Sequence, residues 1–199
     1  TMYGQDSIKI KTQVRKTIDE LQEFVAIPND ALNSDDIDTN ILWLRNKFNA
    51  RGFNTSILET EGLPLFFAAL PMDDNKPTIL FYMHLDGQSV DPSKWNQKDP
   101  YVLSLKSNKD GKWEEESFGD LNDDINYDWR LFGRSTSDDK GPIVILLNTI
   151  DLLKEDNINL PFNIKVILDS EEEKSSKPLP KEVQEYRALL MADFLIINK

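Results

Sequence analysis

Two largely apolar runs of strand length most constrain the fold of this 199-residue chain. They cover residues 78–83 and 162–169, and polar or turn-forming residues flank both runs. The first run is continuous, which is typical of a central strand that is covered on both faces. Segments with helical periodicity alternate with these runs, which indicates helices packed on a sheet. We therefore expect an α/β fold with a mixed, mostly parallel sheet flanked by helices.

The first helix is predicted from apolar residues at helical spacing, and Pro28 is expected to stop it. These residues are Val14, Ile18, Leu21 and Val25. For the second helix we predict Ser34 as the N-cap and Gly52 at the C-terminal cap. The inward face of this helix is expected to hold Ile37, Ile41, Leu44 and Phe48.

The rest of the chain contains weaker strand signals and two further helical patterns. We predict strands at 53–58, 65–70 and 193–198, a hairpin between 101–105 and 112–115, and helices at 143–153 and 181–191. Neither an internal repeat nor a linker between domains is visible in the sequence. The chain is therefore expected to form part of one domain.

Composition excludes several classes of function. The net charge is −12, so phosphate backbones would be repelled and we expect no nucleic-acid partner. The chain has no cysteine, which excludes disulfides and thiolate zinc sites. It has no apolar run of about 18 residues, the length that a membrane span requires. Its first residues contain no apolar signal-peptide core, so we expect a cytoplasmic protein unless a leader was removed.

Side chains that bind metal ions follow three of the predicted elements. His84 and Asp86 come directly after one apolar strand, and residues 171–173, all glutamate, come after the other. A third group, residues 137–141, precedes the helix predicted at 143–153 and contains Asp138. Ligands of α/β proteins gather beyond the carboxyl ends of the strands. Imidazole and carboxylate are ligands of zinc, so these segments together predict a zinc site.

Each of these segments also has a structural interpretation. A lone histidine such as His84 is more often structural than a metal ligand. Asp138 and its neighbours could simply cap a helix, since acids favour the positive end of the helix dipole. The glutamate triplet could be a solvated turn after a strand. The metal site is favoured only by the joint placement of the three segments.

Three stretches of the sequence resemble metallopeptidase family 20, which includes carnosinase-type dipeptidases, glutamate carboxypeptidase and aminoacylase. The stretches are Met-His-Leu-Asp-Gly-Gln at 83–88, Phe-Gly-Arg-Ser-Thr-Ser-Asp-Asp-Lys-Gly-Pro at 132–142, and Asp-Ser-Glu-Glu-Glu-Lys-Ser-Ser at 169–176. Val-Asp-Pro-Ser-Lys-Trp at 90–95 is most similar to the dipeptidase branch. The resemblance implies a zinc-peptidase-like catalytic domain that hydrolyses an amide bond in a dipeptide or an N-acyl amino acid.

The resemblance also implies a role for each site residue in a two-zinc centre. His84 would bind one zinc ion, Asp138 would bridge both, and Glu173 would bind the second. Glu172 would be the general base and then the proton donor, and Asp86 would support the site from behind His84. In this family the peptide bond after Asp138 is often cis.

The chain departs from the family pattern near its end. The resemblance implies a further acidic ligand after the strand at 193–198, where this chain has Lys199, and Asp193 at the start of that strand is not expected to replace it. The second metal-binding histidine of the family lies beyond a lid and dimerisation domain that these 199 residues do not include. We therefore expect residues 1–199 to be the N-terminal portion of the catalytic domain, with little or no activity alone. The full-length protein would form a homodimer through the absent domain.

Two other functions are compatible with the sequence. The first is a pseudoenzyme or interaction module that keeps the fold without metal, which Lys199 favours. The second is another metal hydrolase, such as a phosphoesterase. Phosphoesterase sites usually contain more histidine and asparagine ligands than a chain with one histidine can provide.

Overall fold

The computed structural model describes residues 2–122 and 125–198, with side chains from Ile8 onward. The helices are α1 (Met2–Val25), α2 (Ser34–Ala50), α3 (Lys140–Glu155), α4 (Leu179–Glu185) and α5 (Arg187–Leu190). The strands are β1 (Asn54–Leu58), β2 (Leu65–Ala69), β3 (Thr78–His84), β4 (Ser104–Lys109), β5 (Lys112–Glu116), β6 (Arg130–Phe132), β7 (Asn163–Asp169) and β8 (Phe194–Ile197). Three short 3-10 turns cover Pro92–Lys94, Phe118–Asn122 and Glu172–Lys174.

Five of the strands form the central sheet, in the order β1-β2-β7-β3-β8. β1, β2 and β7 pair antiparallel, whereas β7, β3 and β8 run parallel. The predicted mixed sheet is therefore confirmed, and its parallel part consists of the three strands that lead to the candidate site. The two apolar runs of the sequence are β3 and β7, which lie side by side in this part.

The main core lies between one face of this sheet and helices α1, α2 and α3. On β7, Val166 and Leu168 point into this core, whereas Ile167 packs in a smaller cluster on the other face with Leu190 of α5. This alternation follows from the two-residue period of a strand. Full burial of one such side chain contributes about 1.5–3 kcal/mol to the free energy of folding.

The predicted inward face of α2 is confirmed, but its predicted N-cap is wrong. All four residues of that face are buried. The cap is Asn33, whose side chain accepts a hydrogen bond from the backbone N–H of Asp35, so Ser34 is the first helical residue. Gly52 adopts a φ of +78° just beyond the end of the helix, as a C-terminal glycine does.

Two further segments differ from their predicted form. The helix predicted at 181–191 is divided at Tyr186 into α4 and α5. The predicted hairpin is present as β4 and β5, with β4 starting later than expected, and β6 adds a third strand that the sequence did not indicate. β6 has only three residues, too few for a periodic signal.

The two edges of the central sheet are formed by β1 and β8. All four side chains of β8 are exposed. Of the helices in residues 2–122 and 125–198, none combines the length and the apolarity that a membrane crossing requires.

Candidate metal centre at the carboxyl edge of the sheet

The three parallel strands end at the same edge of the sheet. His84, the last residue of β3, is in register with Asp169, the last residue of β7. On the other side of β3, Tyr82 is in register with Ile197 at the end of β8. The segments that follow these strands therefore meet at one edge, where ligands of α/β proteins gather.

His84 lies between two carboxylates at this edge. Its imidazole is 1 % exposed, with Nε2 2.7 Å from Oδ1 of Asp138 and Nδ1 3.2 Å from Oδ1 of Asp86. Burial lowers the pKa of His84, but the hydrogen bonds to Asp86 and Asp138 outweigh this effect and raise the pKa to about 9. Without a metal ion the ring is therefore protonated at neutral pH and donates to both carboxylates.

Asp86 links the end of β3 to the turn that follows β7. Its side chain is fully buried, and Oδ1 accepts a hydrogen bond from the backbone N–H of Glu172 over 3.2 Å. Its second oxygen, Oδ2, accepts from the backbone N–H of Glu173 over 3.0 Å. One carboxylate thus fixes both the imidazole of His84 and the backbone of two glutamates.

The three consecutive glutamates have different surroundings. Glu171 is buried, and its carboxylate accepts hydrogen bonds from the backbone N–H of Leu63 and from Nζ of Lys174, each over 2.8 Å. Glu173 accepts a hydrogen bond from Nε2 of Gln88 over 2.8 Å. Glu172 borders an apolar cavity of about 620 Å³ between β3, β7, β8 and α4. A solvated turn does not describe Glu171, which has a structural role.

The segment before α3 provides the other carboxylates of the site. The peptide bond between Asp138 and Asp139 is cis, as the family resemblance implies. Asp139 stands at the N-cap position of α3, yet its side chain makes no capping hydrogen bond. Its carboxylate instead accepts from the backbone N–H of His84 over 3.3 Å and from Nδ2 of Asn198 over 2.6 Å. Burial raises the pKa of Asp139 to about 6, against the opposing effect of the nearby His84.

Asp138 and Glu173 line the same cavity, which measures about 250 Å³. Gln88 and residues 133–137 complete its wall. The side chain of Asp138 is 62 % exposed, in contrast to the buried Asp86 and Asp139. The imidazole of His84 therefore contacts the carboxylate that opens into this cavity, and Glu173 lies on the cavity wall.

These residues match the donor types of a zinc site, although they do not enclose an ion by themselves. Nε2 of His84 and Oδ1 of Asp138 are joined by a hydrogen bond of 2.7 Å, and a cation could replace the proton between them. Across residues 2–122 and 125–198, no group of three or more His, Asp or Glu side chains is arranged so that it could hold a metal ion. Both oxygens of Asp86 are bound to backbone N–H groups, and Glu173 is bound to Gln88.

Two of the sequence expectations concern the last strand. Asp193 accepts a hydrogen bond from the backbone N–H of Thr78, so it lies at the end of β3 opposite to His84. This placement agrees with the expectation that Asp193 does not replace a metal ligand. Lys199, at the position expected for an acidic ligand, lies outside the described residues.

Sequence reasoning missed three residues that support the site. Asn29 is fully buried and contacts the segments that carry His84 and Asp138.

Lys140 is also buried, and its Nζ donates hydrogen bonds to the backbone oxygens of Phe24 and Ile27. Burial lowers the pKa of Lys140. Gly141 approaches the backbone of Thr136 so closely that a Cβ would lie 2.2 Å from the carbonyl oxygen. Lys140 and Gly141 lie in the stretch 132–142 that resembles the peptidase family. For Asn29 the local sequence offers only the preceding Pro28 as a signal.

Known proteins resemble this chain in sequence and in fold. The Beta-Ala-His dipeptidase of Homo sapiens is 29 % identical over 137 residues, which cover 68 % of this chain and 23 % of the relative. A Cys-Gly metallodipeptidase of Schizosaccharomyces pombe is 28 % identical over 116 residues, 58 % of this chain and 20 % of the relative. The crystal structure of human carnosine dipeptidase 1 is similar with a TM-score of 0.74 and 25 % identity, over 92 % of this chain and 38 % of that structure. The chain thus spans between 20 % and 38 % of the length of these proteins.

A family model also matches this chain. The model of peptidase family M20/M25/M40 matches residues 80–198, which is more than half of the chain. The match includes the ends of β3 and β7, and the segment before α3. The resemblance seen in the three sequence stretches is therefore confirmed, and the chain belongs to peptidase family M20/M25/M40.

Proposed function

We propose that this chain supplies part of the catalytic site of a metal-dependent dipeptidase. The observation that carries this proposal is the contact of 2.7 Å between Nε2 of His84 and Oδ1 of Asp138 at the carboxyl edge of the sheet. The family and the dipeptidase relatives support amide hydrolysis as the reaction. The names of these relatives favour a dipeptide over an N-acyl amino acid as the substrate.

His84, Asp138 and Glu173 are the residues that would hold the metal ions. His84 would bind one zinc ion through Nε2, Asp138 would bridge two, and Glu173 would bind the second. Zinc in such a site supplies Lewis-acid polarisation of the scissile carbonyl and lowers the pKa of a water molecule. Asp86 keeps a hydrogen bond on Nδ1 of His84, which fixes the orientation of the ring and leaves Nε2 to face Asp138.

Glu172 is the proposed general base. Its carboxylate would accept one proton from the attacking water while the water oxygen forms a bond to the carbonyl carbon. It would then donate this proton to the amine nitrogen as the carbon–nitrogen bond breaks, which releases an amine and a carboxylic acid. The second proton of the water stays on the acid, and its transfer to the amine leaves a carboxylate and an ammonium group. Support for this role comes from its position between Glu171, which has structural contacts, and Glu173, and from the backbone hydrogen bond that holds it on Asp86.

We further propose that residues 1–199 are the N-terminal portion of the catalytic domain and hydrolyse dipeptides slowly or not at all on their own. A catalytic zinc ion usually has about three protein ligands, and one imidazole with two carboxylates is too few for two ions. The small share of each relative that the chain covers also supports this proposal.

The experiment that tests the metal site is a zinc titration of the chain by calorimetry. We expect measurable binding by the native chain and loss of that binding in His84→Ala and in Asp138→Ala. Asp91→Ala is the matched control, because Asp91 is exposed and its carboxylate contacts only nearby residues of its own turn. Unchanged zinc binding in both site variants would refute the assigned ligands. Absence of zinc binding even in a longer chain that includes the second metal-binding histidine would favour the pseudoenzyme.

The experiment that tests the base uses the full-length protein. Glu172→Gln keeps the size of the side chain and removes its basicity, so we expect zinc content to be retained. The turnover number for dipeptide hydrolysis should fall by about 10²–10⁴-fold, the usual contribution of a general base. Near-native turnover would show that another group accepts the proton.

A further inference from the structure

We propose that Asn29 is a positioning residue that sets the separation of His84 and Asp138. The side chain of Asn29 is fully buried in the middle of the segment that joins α1 to α2. Its Nδ2 donates to the backbone oxygen of Leu85 over 2.8 Å and to Oγ of Ser135 over 3.0 Å. This inference rests on the proposed function, because it concerns the geometry of the two proposed zinc ligands.

One side chain of Asn29 therefore joins two segments that are distant in the sequence. Leu85 directly follows His84, and Ser135 precedes Asp138 by three residues. The backbone oxygen of Asn29 also accepts a hydrogen bond from the N–H of Gly87 over 2.7 Å. Displacement of Asn29 would thus disturb both ends of the contact between His84 and Asp138.

The backbone around Asn29 is itself fixed by two buried donors. Nδ2 of Asn40 donates to the backbone oxygen of Pro28 over 2.6 Å. Nζ of Lys140, two residues after Asp138, donates to the backbone oxygen of Ile27 over 2.5 Å. Asn29 is therefore held to α2 and α3 and can act as a rigid spacer.

The side chains of Asn29 and Ser135 pack closely against Gly87. A Cβ on Gly87 would lie 2.5 Å from Oγ of Ser135 and 2.9 Å from Oδ1 of Asn29. Ser135 has a φ of +59°, in the left-handed region that side-chain-bearing residues seldom adopt. The hydrogen bonds between its hydroxyl and Asn29 help to hold this turn in place.

The test uses the fact that His84 is the only histidine of the chain. Its imidazole gives a single set of ¹H, ¹³C and ¹⁵N resonances, which report directly on the hydrogen bonds at both ring nitrogens. In Asn29→Ala we expect these resonances to shift and broaden in metal-free protein. The affinity for zinc, followed through the same resonances, should fall by about 10-fold or more, as is common when residues behind the ligands are changed.

Asn163→Ala is the matched control. Asn163 is also buried, and its Nδ2 donates to the backbone oxygens of Asp73 and Lys76 over 2.9 and 3.0 Å, at the opposite end of β3. We expect it to lose stability without moving the His84 resonances or the zinc affinity. Native-like resonances and zinc affinity in Asn29→Ala, or equal changes in both variants, would overturn the inference.

A second variant and the metal-free spectra cover the cases in which Asn29→Ala does not fold or zinc does not bind. If Asn29→Ala does not fold, Ser135→Ala removes only the partner hydroxyl and is expected to move the His84 resonances in the same direction by a smaller amount. Native-like resonances in Ser135→Ala would then count against the inference. If zinc leaves the native His84 resonances unchanged, the proposed metal function fails, and the metal-free spectra decide the role of Asn29 by the same comparison.

Discussion

Oδ2 of Asp86 accepts a hydrogen bond from the backbone N–H of Glu173 over 3.0 Å. This contact ties the loop after β3 to the turn after β7, because the same carboxylate also holds Nδ1 of His84. A proposed ligand from each strand is thereby fixed by one buried side chain. Asp86 therefore contributes to the site through these hydrogen bonds, which hold His84 and Glu173 in place, as well as through its negative charge.

Replacement of Asp86 by alanine is expected to lower both stability and zinc affinity. It would leave the backbone N–H groups of Glu172 and Glu173 without their acceptor. It would also leave Nδ1 of His84 with only the backbone oxygen of Asp86 as its partner. Each unsatisfied buried donor costs about 1–3 kcal/mol, so the loss of the acceptor of two backbone donors should lower the free energy of unfolding by roughly 2–6 kcal/mol. Urea denaturation followed by circular dichroism measures this change. Asp91→Ala removes the cap of a single exposed 3-10 turn and should lower the denaturation midpoint much less. Equal midpoints for Asp86→Ala and Asp91→Ala would contradict the assigned role.

Replacement of Gly141 by alanine is expected to displace the start of α3. The added Cβ would lie 2.2 Å from the backbone oxygen of Thr136, a distance that requires the backbone to move. Overpacking of this kind costs about 1–3 kcal/mol, which thermal or urea denaturation can detect. The comparison variant is Gly119→Ala, where the added Cβ would approach only the flexible side chain of Ser117 at 3.2 Å. If the two variants were equally stable, the close approach at Gly141 would be unimportant.

Glu171 should behave as a structural residue, distinct from the glutamates that follow it. Glu171→Ala removes the acceptor of the Leu63 N–H and the partner of Lys174. We expect the free energy of unfolding to fall by about 1–3 kcal/mol, the cost of one unsatisfied buried donor. Zinc affinity should change much less than in Asp138→Ala. Glu61→Ala, which breaks an exposed ion pair with Lys181, should leave the midpoint unchanged. A zinc-binding loss as large as that of Asp138→Ala would place Glu171 among the ligands.

The placement of His84, Asp86 and the glutamate triplet could be predicted from the sequence because they follow two buried apolar strands. An uninterrupted apolar run indicates a strand inside a sheet, and polar residues directly after it fall at the strand end. The register of β3 with β7 brings His84 beside Asp169, as this reasoning requires. The inward face of α2 followed from helical spacing in the same way.

Other features depend on contacts that no local pattern records. Asn33 and Ser34 are both good capping residues, and only the hydrogen bond to Asp35 distinguishes them. The three consecutive glutamates differ in their hydrogen-bond partners, which are Leu63, Gln88 and Asp86 from other parts of the chain. Asn29 could not be found because its partners lie 56 and 106 residues away.

The central claim is that His84 and Asp138 bind a metal ion together. Crystals of the chain soaked in zinc, with diffraction data collected at the zinc absorption edge, test it most directly. We predict an anomalous difference peak bonded to Nε2 of His84 and to a carboxylate oxygen of Asp138, each at about 2.0–2.2 Å. Zinc bound elsewhere, with the hydrogen bond between His84 and Asp138 still intact, would contradict the account.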